Sequence, residues 1–428
     1  MGWKRRAACL SLIAGLGLLS ACGGSGGDSE DSGSAQLRLV NASSAYAGLD
    51  LKHGDNSLAS GVAYGAASAY ASAQAGSSLV ALVQSGGNTL SSLYPSLSKD
   101  AHYSIISYGW AGAMKSTVLQ ENEEAPAENY SKLMVLNLAP EAGALDVYLT
   151  QNIDELANVS PAMSAVAGGS SSGYYTLTSG SYRLRLSGSG RQGDLRLDIP
   201  SITLSSKQVA TLVVTPTQGG VLVNGLLLTQ QGGLSTYGAS KARARVVAAL
   251  ADSAELTATL DSVTLMPRSV APNIGEYQLV DAGTPTLNLS VNGRALPVST
   301  PAMSAGNDYT LLVWGEAAAP QLSVLSDDNR LPAAGSAKFR MINGVARLNA
   351  GLTLSLDYSA IASNVQPGSV SGSSTVTAST SSLLHVSSPS SGSPVYSVSG
   401  LAVQSTGIYT VFMMGGANAM QGTLRRER

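Results

Sequence analysis

The chain has 428 residues, only 12% of them charged, and 25 basic against 27 acidic side chains give a formal net charge of −2. With no basic excess and no interleaved basic and aromatic residues to neutralise phosphates, nucleic acid is excluded as a partner. The two cysteines, Cys9 and Cys22, both lie near the start, which excludes disulfide scaffolding, zinc-thiolate sites and thiol catalysis from the remainder.

At the start, Lys4, Arg5 and Arg6 precede an uncharged apolar stretch from Ala7 to Leu19. Its length of about 13 residues falls short of the ~20 that a bilayer-crossing helix needs. A basic start, a short apolar run and small exit residues have the form of an export signal, here residues 1–21. Leu19-Ser20-Ala21-Cys22 resembles the lipobox of bacterial lipoproteins. The resemblance implies cleavage between Ala21 and Cys22, acylation of Cys22 and attachment to a membrane through its acyl chains, which together anchor durably where one chain does not. Because Gly23 rather than aspartate follows, it also implies an outer-membrane address, facing the periplasm or the surface. Loss of the leader leaves 22 basic against 27 acidic side chains, a net charge of −5.

After Cys22, residues 23–36 read GGSGGDSEDSGSAQ and carry no apolar periodicity, so they cannot order themselves. A Gly/Ser coil of this length spans roughly 20 Å end to end, an acidic tether. Beyond it the chain repeats itself. Tyrosine followed six residues later by glycine occurs at Tyr70/Gly76, Tyr174/Gly180 and Tyr277/Gly283, with spacings of 104 and 103 residues between the tyrosines. Opening strands read LRLVNAS from Leu37, LMVLNLA from Leu133, ARVVAAL from Ala244 and FRMINGV from Phe339; late strands read HYSIISYGW from His102, QVATLVVTP from Gln208, DYTLLVWGE from Asp308 and IYTVFMMGG from Ile408. Solenoid units run to ~20–50 residues, so a period near ~100 means repeated whole domains. Four modules follow: residues 37–126, 127–235, 236–334 and a divergent 335–428, where a serine-rich stretch around 369–393 has lost the tyrosine-glycine pair.

Within a module the pattern is that of strands. In YRLRLSGSGRQGDLRLDI, Tyr182, Leu184 and Leu186 alternate with Arg183, Arg185 and Ser187, and Leu195, Leu197 and Ile199 alternate with Arg196 and Asp198. Two half-buried strands around a Gly-rich connection predict a β-hairpin. Helical patterns are scarce; the best, around Gln151 to Ala157 and Lys241 to Leu250, are short or open into strands. Short strands spaced by Gly, Ser, Asn and Pro predict an all-β chain of tandem immunoglobulin-like sandwiches.

VRVVHAS-like openings, a VDVYV-like second strand and an FG-x-x-S-x-Y signature followed by AG characterise the bacterial family called domain of unknown function 4397. This chain resembles it in LRLVNASSAYAGLDL from Leu37, VAYGAASAYASAQAGSSLVALV from Val62 and LDVYL from Leu145. Module 1 matches best, module 2 moderately, module 3 around EYQLVDAGTPTLNLSVNG and module 4 weakly. The resemblance implies an exported β-sandwich, often in tandem, and brings no activity or ligand with it.

Motifs that could carry chemistry have plainer readings. GSGRQG, Gly188 to Gly193, satisfies G-x-G-x-x-G but lies between strands, where a dinucleotide site needs a helix N-terminus. GGSSSG places Ser171 in G-x-S-x-G with His385 far downstream, yet strand and not helix follows. His53, His102 and His385 each stand alone in their modules. Glu121, Glu123, Glu124 and Glu128 read as a solvated linker, and Asp327, Asp328 and Asn329 as a turn with oxygens that calcium could use. Trp110 and Trp314 end late strands, as rim residues or as a stacking platform for a glycan. The expectation is a non-catalytic envelope lipoprotein, without cofactor or metal, whose modules form a scaffold or binding surface for envelope proteins or glycans. Its rivals are a hydrolase using Ser171 and His385 and a calcium- or glycan-dependent adhesin.

Overall fold

Strands dominate because small, β-branched and aromatic residues alternate along the chain with turns of Gly, Ser and Asn between them. The structure is a computed structural model and describes residues 33–151, 156–299 and 301–428; the leader, Ala21, Cys22 and nearly all of the tether lie outside the described residues. Each quarter of the chain forms two antiparallel-rich sheets of four or five strands, and module 1 adds a two-stranded ribbon. No described helix is long and apolar enough to cross a membrane.

The four modules share one wiring. An opening strand (Ser34–Asn41, Tyr130–Asn137, Lys241–Ala248, Ser336–Asn343) pairs in parallel with a late strand (His102–Trp110, Val209–Pro216, Asp308–Glu316, Ile408–Gly416). The late strand turns back antiparallel into a closing strand (Ala113–Gln120, Val223–Thr229, Ala319–Asp327, Ala419–Arg426). The second sheet of module 2 contains the hairpin Gly180–Gly188 and Arg191–Leu204, so GSGRQG is a hairpin tip as its flanking alternation predicts. Of the helical pattern Lys241 to Leu250, Lys241–Ala248 is an opening strand; most of the other, Gln151 to Ala157, lies outside the described residues, and its end enters the short 3-10 turn Leu156–Asn158. The serine-rich stretch of module 4 supplies strands to both of its sheets.

Each module closes its own core between its two sheets. In module 1, Leu37, Leu39 and Ile105 from one sheet meet Leu49, Leu51, Val80 and Leu82 from the other, all fully buried. The opposite faces of the opening and late strands are buried as well. Val40, Ala42 and Ile106 of module 1 pack on Val213, Leu226 and Leu228 of module 2. Val247, Ala249 and Leu312 of module 3 pack on Ile342, Phe412 and Met414 of module 4. A sheet covered on both faces reads as a nearly continuous apolar run rather than a clean alternation, which is why RVVA and RMIN alternate so poorly. The chain is therefore two pairs of modules, each joined through its parallel-strand sheets.

Candidate functional site

Three polar residues recur at matching places in these seams. The third residue before the end of the opening strand is Arg38, Arg245 or Arg340, with Met134 in module 2. The register places Ser104, Thr310 or Thr410 beside it on the late strand. Closing strands end in, or are followed by, Glu121, Asp327 or Glu427. In each case the arginine Nε donates to the hydroxyl, at 2.8, 2.9 and 3.0 Å. All three arginines are at most 3% exposed, Glu121 and Asp327 are 2% exposed, and the side chain of Glu427 is 3% exposed.

Pairing of these charges differs between the two seams. In the first, Arg38 Nη2 lies 2.9 Å from Glu121 of its own module, its Nη1 donates to the Gly232 carbonyl at 2.6 Å, and Glu121 accepts from the Gln231 amide. The second seam is crossed: Arg245 of module 3 pairs with Glu427 of module 4 at 2.8 Å, and Arg340 of module 4 with Asp327 of module 3 at 3.0 Å. Each seam is charge-balanced, because module 2 carries Met134 and Gln230 where its partners carry arginine and acid. Burial works against the Glu427 charge, but Arg245 outweighs it and holds the carboxyl below its usual range.

The recurring tyrosine covers the recurring arginine. Tyr70 lies 4.7 Å under the Arg38 guanidinium and Tyr277 4.3 Å under that of Arg245, a cation-π contact strengthened by burial. Tyr277 also donates to Asp327 at 2.6 Å; burial first, then the Asp327 charge, pushes its phenol above the usual range, so it stays a donor. Gly76 and Gly283, six residues on, have φ of +113° and +116°, a conformation that favours glycine, where the chain leaves the opening strand's sheet. Module 4 has no tyrosine here, and its Phe412 ring lies 5.1 Å from the Arg245 guanidinium.

Beside the second seam lies a polar cavity of about 400 Å³. Arg191, Asp194 and Arg196 reach it from the module 2 hairpin, Arg243 and Tyr277 from module 3, Asn329 from the following link, and Thr406, Glu427 and Arg428 from module 4. Leu186 pairs with Leu197 and Ser187 with Leu195, so Arg196 is the extra residue of a β-bulge, a device that re-aims a side chain. Arg191 and Arg196 share Asp194, at 3.1 and 2.6 Å. Arg243 is held by Asp308 at 2.5 Å, which also accepts from Asn329 at 2.7 Å. The Arg428 guanidinium donates to the carbonyls of Glu141, Gly220 and Asn329. Burial first, then repulsion from Arg196 and Arg243, pulls Arg428 down to about 10; burial likewise lowers Arg196, with Arg243 and Arg191 adding to it.

The residues singled out in the sequence are scattered. Ser171 is exposed on an edge strand of module 2 opposite Leu136, whereas His385 is half-buried in module 4 between Ser355 and Ser397. His53 bonds Ser78, and His102 meets the Tyr70 ring edge-on at 5.0 Å. Trp110 is half-buried, donates to Glu141 of module 2 at 3.1 Å and lies 4.8 Å under Arg330. Trp314 is half-buried in the second seam, donating to Ser323 at 3.1 Å.

Glu121 is not solvated linker: Arg38 and the module 2 turn enclose it, while Glu124 and Glu128 are exposed as expected. Asp327 is taken up by the seam, and Asp328 is held by Arg330 and Lys338, both at 2.8 Å. Burial opposes the Asp328 charge, but those two donors outweigh it and set its carboxyl at about 2.

The model of a family described as a domain of unknown function (DUF4397) matches residues 35–148 and 242–350, just over half of the chain. The chain belongs to the DUF4397 family. The second match covers most of module 3, from residue 242, well beyond the stretch around EYQLVDAG that carries the resemblance in the sequence, and runs past the opening strand of module 4. The first stops at LDVYL in module 2, the module without the arginine and acid.

No curated protein matches the chain. Among solved structures it is similar to a candidate cell adhesion protein from Bacteroides uniformis (11% identity, 47% of this chain and 97% of that one, TM-score 0.20). It is also similar to CBMbc, of family CBM26, from Eubacterium rectale Amy13K in complex with maltoheptaose (12%, 48% and 96%, 0.15) and to the Bacillus anthracis TIE protein (10%, 85% and 65%, 0.15).

Proposed function

We propose that this DUF4397 protein is a non-catalytic envelope lipoprotein, anchored through acyl chains on Cys22, whose two module pairs form a stiff scaffold presenting binding surfaces to envelope partners. The observation that carries the reading is the double burial of the parallel-strand sheets with their charge-balanced seams. That arrangement commits the recurring buried arginines and acids to holding modules together. Ser171 and His385 sit in different modules, on strands that do not pair. Fixed tandem modules suit a scaffold, because sites held at set spacing raise each other's effective concentration.

The reading is tested on cells expressing the full chain. The N-terminal peptide is expected to begin at Cys22 with acyl mass, and Cys22→Ser to release the protein from the membrane fraction. An unmodified Cys22 overturns the anchor. Hydrolysis of ester, peptide or glycan substrates that disappears in Ser171→Ala or His385→Ala overturns the non-catalytic reading.

A further inference from the structure

We propose that the cavity where modules 2, 3 and 4 meet binds a phosphate-class oxyanion, free or as the terminal group of a phosphomonoester. Four arginines, Arg191, Arg196, Arg243 and Arg428, line it against two carboxylates, Asp194 and Glu427. Glu427 is already committed to Arg245 behind the wall, and Arg243 to Asp308. Asp194 alone serves both Arg191 and Arg196, and Arg428 meets carbonyls but no carboxylate among the described residues.

Arg196 supplies a second, independent observation. Its side chain is 3% exposed, yet its Nε has no hydrogen-bond partner among the described residues. A buried guanidinium donor left unpaired is costly, and an anion in the cavity it lines would satisfy it. Gly188 contributes room: a Cβ there would stand 2.8 Å from the Asp194 carboxylate and 3.1 and 3.2 Å from the guanidinium nitrogens of Arg196 and Arg191.

The geometry favours a tetrahedral dianion over a carboxylate. Guanidinium groups approach from the hairpin, from the opening strand of module 3 and from the end of module 4, with an excess of two positive charges among the lining residues. A carboxylate brings one charge and two oxygens in a plane, whereas phosphate brings up to two charges and oxygens in four directions. Arginine is the side chain best suited to such multidentate contacts.

The test is calorimetric titration of the full chain with inorganic phosphate at constant ionic strength, with chloride, citrate, glycerol 1-phosphate and phosphatidylglycerol vesicles as parallel arms. Saturable phosphate binding is expected, weakened about tenfold by Arg196→Gln, the loss of a charged hydrogen bond. Arg191 is 68% exposed, so Arg191→Gln is expected to keep the fold and still weaken binding several-fold. Arg268→Gln, at an exposed pair with Glu255, is expected to leave binding unchanged. Tighter binding of glycerol 1-phosphate than of inorganic phosphate assigns the site to a phosphomonoester, the reverse to the free ion, and binding only to vesicles overturns both. Citrate binding as tightly as phosphate, no binding beyond the chloride control, or equal binding in Arg191→Gln and wild type each overturns the proposal. Phosphate binding and membrane anchoring are separable, so failure of one leaves the other standing.

Discussion

Replacing Arg245 by Met puts into module 3 the residue that module 2 carries at the matching position. Arg245 is fully buried and pairs with Glu427, whose side chain is 3% exposed. Removing one partner leaves the other charge buried; the nearest replacements for Glu427 are Arg425 at 3.5 Å and Arg340 at 3.9 Å, the latter already committed to Asp327. Breaking a buried pair this way costs ~3–5 kcal/mol. With a urea slope of ~2 kcal/mol/M, the unfolding midpoint of the second module pair falls by about 2 M.

Trp314, in that seam, reports the transition by fluorescence in a Trp110→Phe background. Arg245→Met with Glu427→Gln reproduces the Met134 and Gln230 combination of module 2 and is expected to regain most of the loss, because no lone charge then stays buried. A single variant shifted by under about 0.5 M, or a double variant as unstable as the single, refutes the claim that these charges interact across the seam.

Tyr277→Phe removes a buried hydroxyl that donates to Asp327 and accepts from Asn329, and is expected to cost ~1–3 kcal/mol in the same urea assay; no loss contradicts a structural role for the hydroxyl. Gly368→Ala places a Cβ against the Trp314 indole at φ +75°, so it is expected to lower the melting temperature and red-shift Trp314 emission, with an unchanged spectrum counting against the seam. Asp328 titrates at about 2, below its ordinary 3.8, so its stabilisation is full above pH ~4 and lost as pH falls toward ~2. Partial exposure screens it to the order of 1 kcal/mol. The melting-temperature gap between wild type and Asp328→Asn is expected to close over that range, and a constant gap contradicts the assignment.

Strand alternation and the near-100-residue beat made the sandwich architecture legible, since both follow from local side-chain period. The pairing of modules was not, because the surface covering Arg38 and Val40 belongs to residues some hundred or more positions away, such as Val213 and Gly232. Glu121 looked like linker for the same reason: its partner Arg38 lies 83 residues upstream. A signal was nonetheless present. Arginine in LRLVN, ARVVA and FRMIN, hydroxyls in YSII, YTLL and YTVF, and an acid at or just after the end of the closing strand recur together in three modules, and in the second the arginine and the acid are lost together while the hydroxyl stays as Thr211. The recurring tyrosine was found in the sequence, but its task of covering that arginine needed the fold. Strand alternation puts Arg196 on the polar side of a hairpin, whereas the bulge and the neighbouring modules bury it.

Differential scanning calorimetry of the full chain, with Trp110 and Trp314 fluorescence followed in parallel, tests most directly whether the modules act as two locked pairs. No more than two calorimetric transitions are expected, Trp110 following one and Trp314 the other, with Arg245→Met lowering only the transition that Trp314 reports. Four separate transitions, or a Trp314 signal that ignores Arg245→Met, would contradict that pairing.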